Sequence, residues 1–397
     1  MFTLSNVQMT VVDKTTGNRQ AVYPKTVTSA VSDFEEQVKE VIRSMNLGSS
    51  NDAGVMSVSD NSTTVVNGVG ITTYSRPKMF SATKDTITIY AGTTILINNN
   101  YYSATEDVTI DINSSIAVNN RNGKDVYIYA TVNTDNTLQF LISLNSTTPN
   151  GYTADNSRKI GGFHCLCAAV GTIANHVLSG YATGDILPAS RWDLLFRPNS
   201  EPEGMVYDEY TNIWVDIYLA SYTSANGLQS IYGAATADGG STEKFHWYKF
   251  NEFFRNVKKR LPFQYEFISA ARGSNQQTNI KDSTDAVTTG GHVDTANRRM
   301  ISNIGCEDMC GFLWQWGYDS AAVHSTGTSF ADAFDANDSG EEKGQHYAMP
   351  YRCFLGGIWN YSSKCGSRCS YWCDSPLRLI SNYGARGVSP LRPAVSI

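Results

Sequence analysis

The chain has 397 residues, which is long for one domain and suits two or three. Only 17% of its residues are charged and 11% are aromatic, while Gly, Ser, Thr and Asn are abundant, a balance typical of β-rich, loop-rich modules. The net charge of −6 and the lack of a basic stripe argue against nucleic-acid binding, and no run approaches the roughly 20 apolar residues of a membrane span.

The first segment, residues 1–48, combines an extended start with one predicted helix. Residues 1–12 have neither the basic region nor the apolar core of a secretory signal, so we expect a protein made in a cytoplasm. Ser32 and Glu35 resemble a capping box, and Gly48 is suited to end the helix. This helix fits equally an amphipathic helix lying on its own domain and a short coiled coil at a trimer axis or attachment end. Its apolar residues recur at spacings of three and four: Val31, Phe34, Val38, Val41 and Met45.

A linker and a β-rich module are predicted next. Residues 49–62 are rich in Gly, Ser, Asn and Asp, as flexible linkers are. Within residues 63–190, three stretches alternate with period two, at 86–90, 108–112 and 126–130, and Asn-rich turns separate them. We therefore predict an all-β spacer or oligomerisation domain in this region, where no residue pattern indicates chemistry.

The third region, residues 191–397, contains a predicted helix and most of the cysteines. Apolar residues at helical spacing between residues 245 and 261 predict an amphipathic helix that ends at Pro262. The chain has eight cysteines, but their spacing matches neither a zinc site nor a disulfide framework. The histidines are scattered, and no motif places a serine or cysteine nucleophile beside one of them. We therefore expect no metal, no cofactor and no catalytic site.

Motifs in three stretches of this region share their spacing with a known fold family. The first is GMVY at 204–207 followed by Trp214, and the second runs from Trp247 through RLP at 260–262 to AARG at 270–273. The third reads GGxWN, GSR, P and GARGV between residues 356 and 388. Together they resemble the formylglycine-generating-enzyme type of C-type lectin fold. The third also resembles the variable region of phage tropism determinants that are diversified by retroelements.

The resemblance implies a mixed α+β fold class, in which a C-terminal C-type-lectin-like domain follows an all-β module and a short N-terminal helix. It also implies a variable region at about residues 354–388, which forms a ligand-binding surface. All the residue types at its predicted variable positions arise when the adenines of an asparagine codon are randomised, whereas Lys364 does not, so Lys364 is predicted to be fixed. The predicted ligand-binding positions are Ile358, Asn360, Tyr361, Ser362, Cys369, Tyr371, Cys373, Asp374, Arg378, Ile380, Asn382 and Tyr383.

The residues between these positions are predicted to form a fixed scaffold. Two glycines allow close backbone approach at residues 356 and 357, and Gly384 and Gly387 allow positive φ. The tryptophans are predicted to anchor loops against a core, and each arginine is predicted to donate to several loop carbonyls. The scaffold residues are Gly356, Gly357, Trp359, Gly366, Arg368, Trp372, Gly384, Arg386 and Gly387.

The resemblance implies a phage tail-fibre protein at the tip of the virion, made in the host cytoplasm, that binds a host cell-surface protein or glycan without chemistry. It implies a homotrimer that also contacts other phage tail proteins. Two alternatives stay open: a cell-displayed bacterial variable adhesin and, on the same fold, a formylglycine-generating-type oxidase. That oxidase uses two cysteines beyond the Gly-Gly pair, where this chain has Tyr361 and Gly366, with Cys365 one residue away.

Overall fold

The computed structural model describes residues 9–12, 19–22, 62–66, 69–73, 78–282, 288–323, 330–332, 343–347 and 350–392. The helix predicted between residues 31 and 45 lies outside these residues, as does the predicted linker except for Ser62. The chain divides into two units, Met1–Ala53 and Gly54–Ile397. In the first unit, strands β1 (Met9–Val12) and β2 (Arg19–Val22) form an antiparallel hairpin.

The second unit opens with a hairpin of β3 (Ser62–Val66) and β4 (Val69–Thr73) and continues with a β-rich module. Helices α1 (Ile112–Ser115) and α2 (Val118–Arg121) are short and lie between two of its strands. The strands of the module are β5 (Phe80–Ala82), β6 (Thr86–Ile89), β7 (Thr94–Ile97), β8 (Asn100–Ser103), β9 (Val108–Asp111), β10 (Asp125–Val132), β11 (Leu138–Ser143), β12 (Ser157–His164) and β13 (Trp192–Asp193). They form sheets in the orders β5-β6-β9 and β11-β10-β12-β13, and a β7-β8 hairpin.

The alternating apolar pattern explains how the module packs. The isoleucines of β6 are buried and alternate with half-buried threonines, as expected for strands with one face on a core. All three predicted strands are confirmed, as β6, β9 and β10. Strand β9 ends one residue earlier than predicted because the carboxylate of Asp111 caps α1, accepting from the backbone N–H of Asn113 at 2.8 Å. The core they share includes Ile87, Ile89, Val126, Ile128, Ile160 and Phe163.

In its described residues, the C-terminal part, which we call the head, contains many short strands, two α-helices and a 3-10 helix at Ser362–Lys364. Its strands are β14 (Met205–Asp208), β15 (Ile213–Asp216), β16 (Ala220–Thr223), β17 (Gly227–Ser230), β18 (Trp314–Val323), β19 (Phe330–Asp332), β20 (Gln345–Tyr347), β21 (Pro350–Leu355), β22 (Ser370–Asp374), β23 (Tyr383–Gly384) and β24 (Val388–Pro390). Its helices are α3 (Trp247–Asn256) and α4 (Gln264–Ala270). The described part of the chain is therefore mostly strands and loops with a few short helices.

The predicted helix in the head is shorter than the sequence indicated. It ends at Asn256, well before Pro262, and Lys258 adopts a left-handed φ of 58°. Beyond the helix, Arg260 and Val388 exchange two backbone hydrogen bonds of 3.0 and 2.8 Å. The predicted helix is thus cut short by a turn at Val257 and Lys258, after which Arg260 pairs with Val388 of β24. That partner comes from the far end of the chain, which local periodicity does not report.

The topology brings the chain's end back to the start of the head. β24 pairs antiparallel with β15, which also pairs with β14. A second sheet of the head has the strand order β22-β21-β18-β23. The end of β21, all of β22 and β23, and the loops that connect these three strands contain most of the predicted variable region. Among the described residues, no helix is long and apolar enough to cross a membrane.

Candidate functional site

A pair of glycines turns the chain out of β21 and into the predicted variable region. Gly356 and Gly357 have φ of 88° and 86°, a region that side-chain-bearing residues rarely adopt. A Cβ on Gly356 would lie 2.3 Å from the carbonyl oxygen of Met309, and one on Gly357 would lie 2.8 Å from Sγ of Cys365. The predicted close backbone approach is confirmed at both positions.

Replacing Gly357 with alanine is expected to lower the free energy of unfolding by about 1–3 kcal/mol, because alanine would be strained at this φ and would collide with Cys365. Urea denaturation of the full chain measures the change. Gly344→Ala is the matched control, since Gly344 lies in a polar segment with no atom within 4 Å of its added Cβ. Equal stability of the two variants would show that the turn does not require glycine.

Arg386 holds the framework together from inside the head. Its side chain is fully buried. Nε donates to Oε1 of Gln315 at 3.2 Å, and the two terminal nitrogens donate to the backbone carbonyls of Asp216, Ile217 and Glu307. The prediction that this arginine satisfies several loop carbonyls is confirmed.

Three other scaffold predictions were wrong: the physical reason given for glycine at residues 384 and 387, and the role of Arg368 as a donor to loop carbonyls. Gly384 and Gly387 do not adopt positive φ; a Cβ on Gly387 would instead lie 2.6 Å from Oδ2 of Asp216, so close packing explains glycine there. Arg368 is exposed and has no hydrogen bond within the described part of the chain. It follows GS in the sequence much as Arg386 follows GA, but only Arg386 is surrounded by carbonyls.

The remaining scaffold residues pack the loops of the variable region against the head. The indole N–H of Trp359 donates to Oδ1 of Asn382 at 3.4 Å, and that of Trp372 donates to Oγ of Ser370 at 2.9 Å. Both tryptophans are half-buried against core clusters. Gly366 is buried, and a Cβ there would lie 2.6 Å from Oε1 of Gln276.

The twelve predicted ligand-binding residues divide by exposure. Ile358 is only 4% exposed and packs in a core cluster, so its prediction as a ligand contact was wrong. It directly follows the glycine turn, and its side chain lies in the core. Five are half-buried: Cys369, Asp374, Ile380, Asn382 and Tyr383. Six are exposed: Asn360, Tyr361, Ser362, Tyr371, Cys373 and Arg378.

The exposed tyrosines stand on a layer of aromatic rings that sequence reasoning missed. The ring centre of Trp314 lies 5.6 Å from that of Tyr361 and 6.1 Å from that of Tyr371. Phe354 lies 4.0 Å from Trp316 and 4.2 Å from Tyr383. The sequence signal that could have revealed this layer was the spacing of Trp314 and Trp316, which lie two residues apart on β18. We call this set the aromatic surface: the exposed Tyr361 and Tyr371, the half-buried Tyr383, and the buried Trp314, Trp316 and Phe354 that support them.

Loops from earlier in the head fix the backbone of the variable region. The backbone N–H of Gln277 donates to the carbonyl of Cys365 at 2.7 Å, and the side-chain oxygen of Gln276 accepts from the N–H of Ser367 at 3.2 Å. On the other side, the N–H of Gly239 donates to the carbonyl of Ile380 at 3.2 Å. On the side of the variable region, all three bonds use backbone groups, so exposed side chains there can change without breaking them.

Comparison with known proteins identifies the family. The Mtd second domain matches residues 78–193. The tail fibre receptor-binding protein of Bordetella phage BPP-1 is 32% identical over 322 residues, which cover 76% of this chain and 79% of that protein. The chain belongs to the phage tropism determinant family. The solved U1 and P3c variants of the major tropism determinant are 31% and 29% identical, each with a TM-score of 0.66 over 79% of this chain and 83% of theirs.

In this tropism determinant, hydrogen bonds orient the polar residues beside the aromatic surface. The hydroxyl of Tyr383 donates to Oδ2 of Asp374 at 2.9 Å, and Nε of Arg378 lies 3.8 Å from the same oxygen. Burial, followed by the Asp374 carboxylate, raises the pKa of Tyr383 well above its ordinary value. Tyr383 therefore remains a neutral hydrogen-bond donor at physiological pH.

Alkylation of the native tropism determinant with iodoacetamide at pH 8 is expected to modify Cys373 first and Cys369 more slowly. Cys373 is exposed and Cys369 half-buried, whereas the other six cysteines are buried. Burial raises the pKa of the Cys165, Cys353 and Cys365 thiols to about 12, which leaves little reactive thiolate. Peptide mass spectrometry measures the sites, with denatured protein as the control for full modification. Early labelling of Cys365 would show that the loop after Gly357 opens.

Proposed function

We propose that this tropism determinant binds a host cell-surface protein or glycan through the aromatic surface and the exposed polar residues around it. Membership of a family of tail-fibre receptor-binding proteins supports this role, because the match to the Bordetella phage protein covers most of this chain and most of that protein. The proposed mechanism is binding without chemistry. In this proposal the protein lies at the tip of the tail fibre, is made in the host cytoplasm and is not inserted in a membrane.

The observation that carries the proposal is the separation of framework from exposed side chains. Arg386 and the glycine turn are buried and bond to backbone, while Tyr361 and Tyr371 are 38% and 42% exposed. A rigid backbone that presents tyrosines among small polar residues resembles an antibody paratope, since tyrosine offers contact area at low entropic cost. We propose that a retroelement diversifies these side chains, which sets receptor specificity while the fold is retained.

The finer organisation is part of the same proposal. Residues 1–48 would attach the protein and, through a helix, form a homotrimer that contacts other tail proteins. Residues 49–62 would act as a linker, 63–190 as a spacer, and 191–397 as a mixed α+β, C-type-lectin-like head. In a trimer presented in many copies, avidity would raise weak single-site affinity by roughly 10²–10⁴.

Deep sequencing of this locus in its native population tests the proposal. We expect non-synonymous changes to concentrate at the exposed positions between residues 360 and 378, while Gly357, Trp359 and Arg386 stay fixed. Ile358 should keep an apolar residue because it is buried. A variable region as invariant as the β-rich module would reject diversification and leave an ordinary lectin-like adhesin.

A further inference from the structure

Arg352 lies beside the aromatic surface but outside the predicted variable region. It is on β21, two residues before Phe354, and its backbone is paired with Asp374 of β22. The pairing is irregular between these two residues, so the face is given by a contact: the Arg352 guanidinium lies over Trp247, which packs in the same core cluster as Trp314, Trp316 and Phe354. Its position therefore adjoins the proposed receptor-binding residues.

A rigid indole ring supports the Arg352 side chain. The guanidinium carbon lies 3.9 Å from the ring centre of Trp247. The indole N–H of Trp247 donates to the carbonyl of Gly317 at 2.9 Å, and its backbone N–H donates to the carbonyl of Pro376 at 3.0 Å. Stacking on a fixed ring orients the guanidinium plane and reduces the entropy that it would lose on binding a ligand.

The guanidinium of Arg352 has no hydrogen-bond acceptor among the described residues. Its Nε is inaccessible to solvent and unpartnered. The neighbouring carboxylates are engaged elsewhere: Asp374 accepts from Tyr383 and from the backbone N–H of Ser375, and Asp319 accepts from the N–H of Gln264. An acceptor from outside cannot reach Nε, but the two terminal nitrogens are accessible and also lack an acceptor among the described residues. They are therefore the donors that Arg352 can offer to a ligand.

We propose that Arg352, stacked on Trp247, forms an anion-binding subsite that takes a carboxylate or phosphate group of the host-surface ligand. The planar guanidinium matches both groups through two parallel N–H donors. This inference rests on the proposed function for its biological ligand. Because Arg352 lies outside the predicted variable region, the proposed subsite would stay the same when the exposed residues of that region change.

Binding of dextran sulfate to the immobilised full chain, with neutral dextran as the reference, tests the subsite by biolayer interferometry at low salt. A chain with a net charge of −6 has no general attraction for polyanions, so binding requires a local site. Arg352→Gln is expected to weaken binding about tenfold, the effect of losing one charge-assisted contact. Competition by inorganic phosphate or by glucuronate then identifies the preferred group.

Arg368→Gln is the matched control, because Arg368 is exposed, unpaired and in the same region of the head; it is expected to change binding by less than about twofold. Arg352→Lys keeps the charge but loses the planar pair of N–H donors, so we expect a loss of binding smaller than that of Arg352→Gln. It tests the subsite if Arg352→Gln does not fold. No binding by the unaltered chain, or equal losses in both arginine variants, would overturn the subsite. These outcomes are independent of locus sequencing, so failure of the subsite and failure of the proposed function are distinguishable.

Discussion

Replacing Arg386 with methionine is expected to lower the free energy of unfolding of the head by at least about 3 kcal/mol. The side chain is fully buried and donates to carbonyls of Asp216, Ile217 and Glu307 and to the amide oxygen of Gln315. Methionine has similar length but no donor, so these acceptors would stay buried without partners. Chemical denaturation followed by tryptophan fluorescence measures the loss.

Arg368→Met is the matched control for Arg386. Arg368 is exposed and has no hydrogen bond within the described residues, so its replacement is expected to change stability by less than about 0.5 kcal/mol. Arg386→Lys retains the charge but not the planar fork, and should fall between the two variants. If Arg386→Met and Arg368→Met proved equally stable, the buried network would not be what fixes the framework.

The double variant Tyr361→Ser and Tyr371→Ser is expected to bind host cells at least about 30-fold more weakly, the change expected when a central aromatic hot spot is lost. Both rings contact Trp314 and are the exposed part of the aromatic surface. Because both are more than one-third exposed, little core packing is lost and the variant should fold normally. Flow cytometry with labelled full-length protein on a strain that the phage infects measures the binding.

Tyr210→Ser is the control for a tyrosine outside the aromatic surface. Tyr210 is 75% exposed and stacks only on the guanidinium of Arg272 among the ring contacts described. Its replacement should leave cell binding unchanged. Full binding by the correctly folded double variant would place receptor recognition elsewhere on the molecule.

Period-two alternation and motif spacing were sufficient for several features. Three strands of the module, β6, β9 and β10, were predictable because aliphatic residues alternate in them with threonine, aspartate or tyrosine, and alternation is a local property. The close backbone approach at residues 356 and 357 followed from the lack of a side chain on glycine, and the bonds of Arg386 to loop carbonyls followed from its fork of donors. The resemblance to phage tropism determinants placed Tyr361 and Tyr371 among the variable positions, and both are exposed.

Only the tertiary structure decided which residues of the variable region reach solvent and what supports them. Arg368 and Arg386 follow similar short motifs, yet one is exposed and the other buried, because the acceptors of Arg386 come from residues 170 and 79 positions away. Ile358 is buried and Trp314 lies under the tyrosines for the same reason. Sequence periodicity reports neighbours within a few residues, whereas burial in a loop-rich head depends on distant segments that folding brings together.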